Sequence, residues 1–270
     1  MLRILTSLVL ATLVLLAVFF LSDRWFLLLA LGPAELAAVE LVRIGRTWAP
    51  DAPLRLLLLL LPPLTLLLAL GLTPGSGGVP LQAVLLLIAL LLGPVVAATL
   101  LLSGTPAAQA LPALGCLSFG SVYIALPVVS CWRLQQMDPW LLVLLLMVVA
   151  VGDTAAYYFG KIFGRRKMSP SISPNKTWVG AGAGFLGAVV ATALWSWWHF
   201  GCVEAEWLVL GAAAGVAAQC GDLAESMLKR GAGIKDSGRL LPGHGGILDR
   251  TDGLLFAAPV LLLGLTLMVG

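Results

Sequence analysis

Runs of about twenty apolar residues recur from one end of this 270-residue chain to the other, and that recurrence limits the fold more than any motif does. Hydrocarbon about 30 Å thick takes roughly twenty apolar residues to cross as a helix, with every backbone N–H and C=O bonded inside the segment. A window of about 19 residues gives nine such spans, at 4–22, 25–43, 54–72, 80–102, 107–130, 139–160, 178–200, 205–220 and 254–269. The second carries Glu35 and Glu40, the third is interrupted by Pro62 and Pro63, and the eighth is short and rich in Ala and Gly. With 60% of residues apolar and 11% charged, the expectation is an all-α, polytopic integral membrane protein with about nine transmembrane helices. The first run ends in F-F-L-S-D-R-W, without a small-residue cleavage pattern, and is read as a retained span.

Charge placement orients these spans. Nine helices with a cytoplasmic N-terminus put fourteen of the sixteen Lys and Arg on the inner side and only Arg24 and Arg133 outside, the bias of the positive-inside rule. The expected location is the cell (inner) membrane, with the polar loops 161–177 and 221–252 facing the cytoplasm. Two regions follow: N-terminal helices over 1–135 and a C-terminal catalytic region over 136–270. Gly71 to Pro80, with T-P-G-S-G-G, reads as a plain external connector. Lys and Arg exceed Asp and Glu by only three, so total charge selects no partner, and nucleic acid is not expected. Gly180–Ala188 and Gly211–Ala218 are small-residue stretches that allow close helix packing. Cys116, Cys131, Cys202 and Cys220 lack metal-ligand spacing and are expected to be buried, unpaired thiols.

The chemistry concentrates in Ser226 to Asp252, twenty-seven residues that hold five of the sixteen Lys and Arg, three of the thirteen Asp and Glu and one of the two His. Ionisable groups at the ends of spans are costly unless they meet water, each other or an ion. Asp153, Asp222 with Glu225, and Asp249 with Asp252 supply carboxylates, and for a single Asp an ion pair or a helix cap is an equally good account. The set is different, because Asp249 and Asp252 share a face if helical and Asp222 opens the segment that they close. Converging carboxylates repel unless a cation neutralises them, and magnesium takes oxygen ligands plus phosphates.

Lys229, Arg230, Lys235 and Arg239, with Lys176 on the other loop, provide phosphate donors. Arg43, Arg46, Arg55, Arg165 and Arg166 read as ordinary anchors to anionic headgroups. Glycines at 231, 233, 238, 243, 245 and 246 let backbone N–H groups approach an anion, although the P-loop spacing is missing. His244 either touches a phosphate or is structural.

S-x-x-K-R at 226–230, K-D at 235–236, P-G-H-G-G at 242–246 and D-R-x-D at 249–252 together resemble the C-terminal signature of the phosphatidate cytidylyltransferases, or CDP-diacylglycerol synthases. G-D-T-A-A-Y at 152–157, F-G at 163–164 and S-P-N-K-T-W at 173–178 are similar as well, so the motifs cover about the last 130 residues. Val179 stands where that family often has Glu or Gln. The resemblance implies transfer of the cytidylyl group of CTP to phosphatidic acid, dependent on Mg2+, by a dimer embedded in membrane lipid. On that footing Asp222, Asp249 and Asp252 bind metal, with Asp153 a further candidate, and Lys229 joins the three aspartates as catalytic. Lys229, Arg230, Lys235 and Arg239 hold phosphates, while Ser173, Asn175, Lys176, Ser226 and His244 orient either substrate. Carboxylate count leaves the second cation open between Mg2+ and K+.

Two other readings stand beside this one. A transporter would use Glu35, Glu40 and Asp153 as intramembrane carboxylates, although no inverted repeat is visible and Glu40 with Arg43 reads as an i,i+3 pair at a helix end. A CTP-dependent polyprenol kinase would transfer the γ-phosphate instead.

Overall fold

The computed structural model describes residues 2–72, 81–238 and 245–269. The expectations for Arg239, His244 and most of the 71–80 connector lie outside these residues. The helices are α1 Leu2–Phe20, α2 Asp23–Gly45, α3 Leu56–Gly71, α4 Leu81–Leu102, α5 Ala107–Leu114, α6 Gly120–Met137, α7 Pro139–Phe163, α8 Trp178–Phe200, α9 Ala205–Gly231 and α10 Leu248–Val269. Helices α5 and α6 join through a π-helical turn, Gly115–Phe119, into one continuous rod over Ala107–Met137. Pro112, which lacks an N–H, lies just before that widened turn.

Among the described residues six helices are long and apolar enough to cross a membrane: Asp23–Gly45, Ala107–Met137, Pro139–Phe163, Trp178–Phe200, Ala205–Gly231 and Leu248–Met268. Ala11–Phe20, Leu56–Gly71 and Leu92–Leu102 are shorter apolar helices. This is an all-α integral membrane protein. Pro62 and Pro63 do not break α3, whose leucine-rich sequence keeps helical backbone on both sides of them.

The 221–252 segment differs from the loop expected over it. Helix α9 continues eleven residues past 220 to Gly231, and α10 starts at Leu248 instead of 254. Glu225, Lys229 and Arg230, which lower the hydropathy of α9's last turns, are themselves good helix formers, and Glu225 pairs with Lys229 four residues on. Hydropathy therefore registered the end of the apolar surface, not the end of the helix. In the 161–177 loop, strands β1 Lys167–Ser169 and β2 Ser173–Thr177 form an antiparallel hairpin, with Lys167 opposite Thr177 and Ser169 opposite Ser173. Thr177 then caps α8 by accepting a bond from the Gly180 N–H at 3.1 Å.

The chain forms two compact units. One comprises Met1–Arg133 with Gly231–Arg250, and the other Leu134–Arg230 with Thr251–Gly270. In the first, Trp132 donates to the Asp23 carbonyl at 2.9 Å and Trp48 to the Gly231 carbonyl at 3.2 Å. Asp51 accepts from the Gln109 side-chain amide at 2.7 Å while its N–H donates back to Gln109 at 3.0 Å, holding the α2–α3 connection to the start of α5. In the second unit, α7 opens on an Asp138 cap with Pro139 behind it, the Trp140 N–H donating to Asp138 at 2.9 Å. Both small-residue stretches pack inside this unit: Gly180, Gly184 and Gly187 lie against α7 at Gly152, Ala155, Ala156 and Gly160, and Gly211 and Gly215 lie against Thr192 and Ala188 of α8.

Cys116 and Cys131 are half-buried free thiols, whereas Cys202 and Cys220 are free but exposed. Burial was expected for all four. Cys202 follows the end of α8 and Cys220 lies on the outer face of α9, so apolar neighbours in sequence did not mean neighbours in space.

Candidate active site

Three aspartates of the second unit come from three different helices. Asp153 lies on α7, Asp222 on α9 and Asp252 on α10, and the charge of Asp222 acts directly on both of the others. The approach has a steric cause. Gly221 faces the Asp252 carbonyl and the Phe256 ring so closely that any Cβ there would collide with that carbonyl. With only hydrogen at this position, the α9 and α10 backbones touch one residue away from Asp222.

Lysines meet this group of acids. Lys176, from β2, places Nζ 2.7 Å from Asp222 Oδ2, and its charge also reaches Asp153. Ser226 Oγ, one helical turn beyond, donates to Asp222 Oδ1 at 3.4 Å. Lys229 is ion-paired with Glu225, whose side chain is fully buried, and its charge acts on Asp252. The Arg230 Nε–H donates to the Ile172 carbonyl in the turn of the hairpin at 3.3 Å. Asn175, on β2, is exposed and Ser173 half-buried. Because α9 stays helical, Asp222, Ser226 and Lys229 follow one another at i, i+4 and i+7 along a single face.

A partly exposed ion pair such as Lys176–Asp222 is worth at most about 1 kcal/mol. It can therefore exchange one partner for another cation or for phosphate oxygens at little cost. The donor set is all oxygen, which suits magnesium. Among the described residues no group of three or more His, Cys, Asp or Glu is placed so as to hold a metal ion by itself. Magnesium does not require one, since it commonly takes one or two carboxylates and completes its octahedron with waters and substrate phosphates.

Asp249 belongs to the first unit, and there its surroundings are of another kind. Its Oδ2 accepts from the Gly246 N–H at 2.8 Å, the Ser237 N–H at 3.0 Å and the Ser237 hydroxyl at 3.0 Å. Glu40, on α2, also reaches this segment: Oε1 accepts from the Ile247 N–H at 3.0 Å, and Oε2 from the Leu248 N–H at 2.9 Å and the Ser237 hydroxyl at 2.7 Å. The pairing of Glu40 with Arg43 is thus replaced by a contact about two hundred residues distant, for the physical reason that the start of α10 offers N–H groups with no helical acceptor. Lys235, before this knot, is exposed.

The sequence named Glu225 only among the candidate carboxylates and Glu40 only for a transporter, and it did not point to Ser237; the contacts that all three make here were not foreseen. For Glu225 a signal existed in its i,i+4 spacing to Lys229. For Glu40 and Ser237 none did, because nothing local links α2 to residue 237.

A membrane-embedded protein with carboxylates from three helices set beside lysines is the class defined so far. The model of the cytidylyltransferase family matches residues 1–268, and the chain belongs to that family. It is 43% identical over 149 residues to a phosphatidate cytidylyltransferase of Brucella suis, which covers 53% of this chain and 54% of the relative. It is 37% identical over 131 residues to the phosphatidate cytidylyltransferase of Haemophilus influenzae, covering 45% and 46% of the two chains. With that of Staphylococcus aureus it shares 46% identity over 118 residues, covering 43% and 45%. The matched stretch thus spans about half the length of these relatives at most.

Proposed function

We propose that this protein transfers the cytidylyl group of CTP to phosphatidic acid, giving CDP-diacylglycerol and pyrophosphate. The observation that carries the reading is the mutual influence of Asp153, Asp222 and Asp252 from three membrane helices, with Lys176 paired to Asp222, in a chain of the cytidylyltransferase family. A phosphate oxygen of phosphatidate attacks the α-phosphorus of CTP, a new P–O bond forms, and the bond to the β-phosphate oxygen breaks to release pyrophosphate. Phosphomonoesters have a second pKa of about 6, so the nucleophile is already largely an anion near neutral pH. No side chain is needed as a strong base.

The obstacle is repulsion between two polyanions. Lys176 and Lys229, with Arg230 and Lys235 as further donors, offset that charge and orient the phosphates, while Ser173, Asn175 and Ser226 are placed to bond either substrate. Asp222 and Asp252 would hold Mg2+, with Asp153 beside them and Asp249 as the further ligand read from the sequence; bound there, the ion supplies positive charge at the reacting phosphates. The lipid keeps its acyl chains in the bilayer, so the site is taken to open to the cytoplasmic face of the inner membrane, within a nine-span arrangement whose N-terminus is inside.

The test uses purified protein, phosphatidate in mixed micelles, and CTP labelled at the α-phosphate. Label is expected in the organic phase with Mg2+ and not with a chelator. Transfer of a γ-label to lipid instead would convert the reading to a kinase, and solute movement without CTP consumption would convert it to a transporter.

A further inference from the structure

Buried in the first unit, Glu40 is 7% exposed and Ser237 1%, yet neither serves a local element. Glu40 lies on α2, and among the described residues its carboxylate accepts from Ser237, Ile247 and Leu248, all of the segment that carries Asp249. It accepts the N–H groups of Ile247 and Leu248 at the start of α10, where the helix has no acceptor of its own. The Ser237 hydroxyl stands between Glu40 Oε2 and Asp249 Oδ2, at 2.7 Å and 3.0 Å, and its one proton serves one of them at a time. Asp249 Oδ2 also accepts from the N–H groups of Ser237 and Gly246. The orientation of Asp249 therefore depends on where Ser237 and Gly246 are held.

The backbone is shaped to this purpose. Gly245 has φ +82°, and a Cβ there would also meet Asp249 Oδ2, while a Cβ on Gly246 would run into Ser237 Oγ and both Glu40 carboxylate oxygens. The segment closes over Glu40 only because these positions lack side chains.

We infer that Glu40 is a positioning residue for the proposed cytidylyl transfer: through Ser237 and the 246–248 backbone it fixes the Asp249 carboxylate, without itself touching substrate. The inference rests on the reaction assigned above. Partners that orient a functional carboxylate commonly matter by roughly 10- to 100-fold, far more than a distant helix contact would.

The experiment compares wild-type protein with Glu40→Gln, Glu40→Ala and Ser237→Ala in detergent. Two readouts are taken, steady-state kinetics with CTP and phosphatidate, and hydrogen exchange of the peptide spanning residues 245–250. Glu40→Ala is expected to speed exchange at Ile247 and Leu248 and to lower kcat roughly 10- to 100-fold, with CTP KM moving less than about threefold, as for a group that acts outside substrate binding. Glu40→Gln, which keeps one acceptor oxygen, should fall between Glu40→Ala and wild type. A Glu40 variant that folds and retains wild-type kcat overturns the inference, even if its thermal stability drops. Should both Glu40 variants fail to fold, Ser237→Ala decides: reduced kcat supports the role and unchanged kcat refutes it. Wild-type protein inert towards CTP and phosphatidate sinks the assigned reaction instead, and the exchange at 247 and 248 still shows whether Glu40 anchors the segment.

Discussion

Both units contain buried or half-buried carboxylates, but they satisfy them with different partners. Glu40 and Asp249 are bonded by N–H groups of a tight turn and a helix start and by one serine, so their partners are fixed parts of the backbone. Asp222 is paired instead with the Lys176 side chain, and Asp252, which accepts one backbone bond from the Gly253 N–H at 2.7 Å, also feels the charges of Asp222 and Lys229. Backbone donors cannot leave without unfolding the segment. A lysine on a flexible stem can, so Asp222 is free to trade its partner for a cation or a phosphate, whereas Asp249 is held in one orientation.

The sharpest way to break this distinction is to remove one charge from the exchangeable set. Asp222→Asn and Asp252→Asn are each expected to lower cytidylyl transfer by at least about 100-fold, the scale on which loss of a preorganised electrostatic group acts. Membrane insertion and unfolding temperature should be retained, as judged by extraction and thermal melts. Turnover within a few-fold of wild type in either variant would place the chemistry elsewhere.

Next in size is the buried pair on α9. Lys229→Met takes from Glu225, which is 0% exposed, its ion-pair partner, and breaking a buried pair costs about 3–5 kcal/mol. A marked fall in unfolding temperature is expected along with lost activity. The double variant Glu225→Gln with Lys229→Met should recover the stability but not the activity, separating the two roles of Lys229. Recovery of both would reduce Lys229 to a structural lysine.

A smaller effect is expected at the edge of the set. Lys176→Met removes a partly exposed partner of Asp222, and CTP KM should rise about tenfold, as for a lost charge-assisted contact of about 1.4 kcal/mol. An unchanged KM would mean that Lys176 only shields Asp222. Arg165→Ala with Arg166→Ala marks the floor, since both side chains are exposed near the hairpin and are read as headgroup anchors. The rate should change less than about twofold in neutral micelles, where a headgroup anchor has no anionic lipid to hold. A larger loss would show that general positive charge, not the placed lysines, governs the reaction.

Much of this was legible in the chain because bilayer physics acts locally. Apolar runs near the helical crossing length gave helices in all nine expected places, and Asp153, Asp222 and Asp252 stood out as acids within or beside them. Two kinds of feature were hidden. The first was helix continuation into polar sequence, as at 221–231, where hydropathy falls but Leu223, Ala224, Glu225, Leu228, Lys229 and Arg230 still favour helix. The second was any contact set by tertiary packing: Glu40 with Ser237, or Gly221 with the Asp252 carbonyl, joins residues whose separation in sequence has no period.

The continuation of α9 to Gly231 has a mechanical outcome. With a rise of 1.5 Å per residue, Asp222 and Lys229 are mounted about 10 Å apart on one stiff rod, and that gauge cannot adapt to substrates of another length. One alanine inserted between Ser226 and Lys229 would rotate the lysine by about 100° around the axis, leaving every residue of the motif present and the tool out of true.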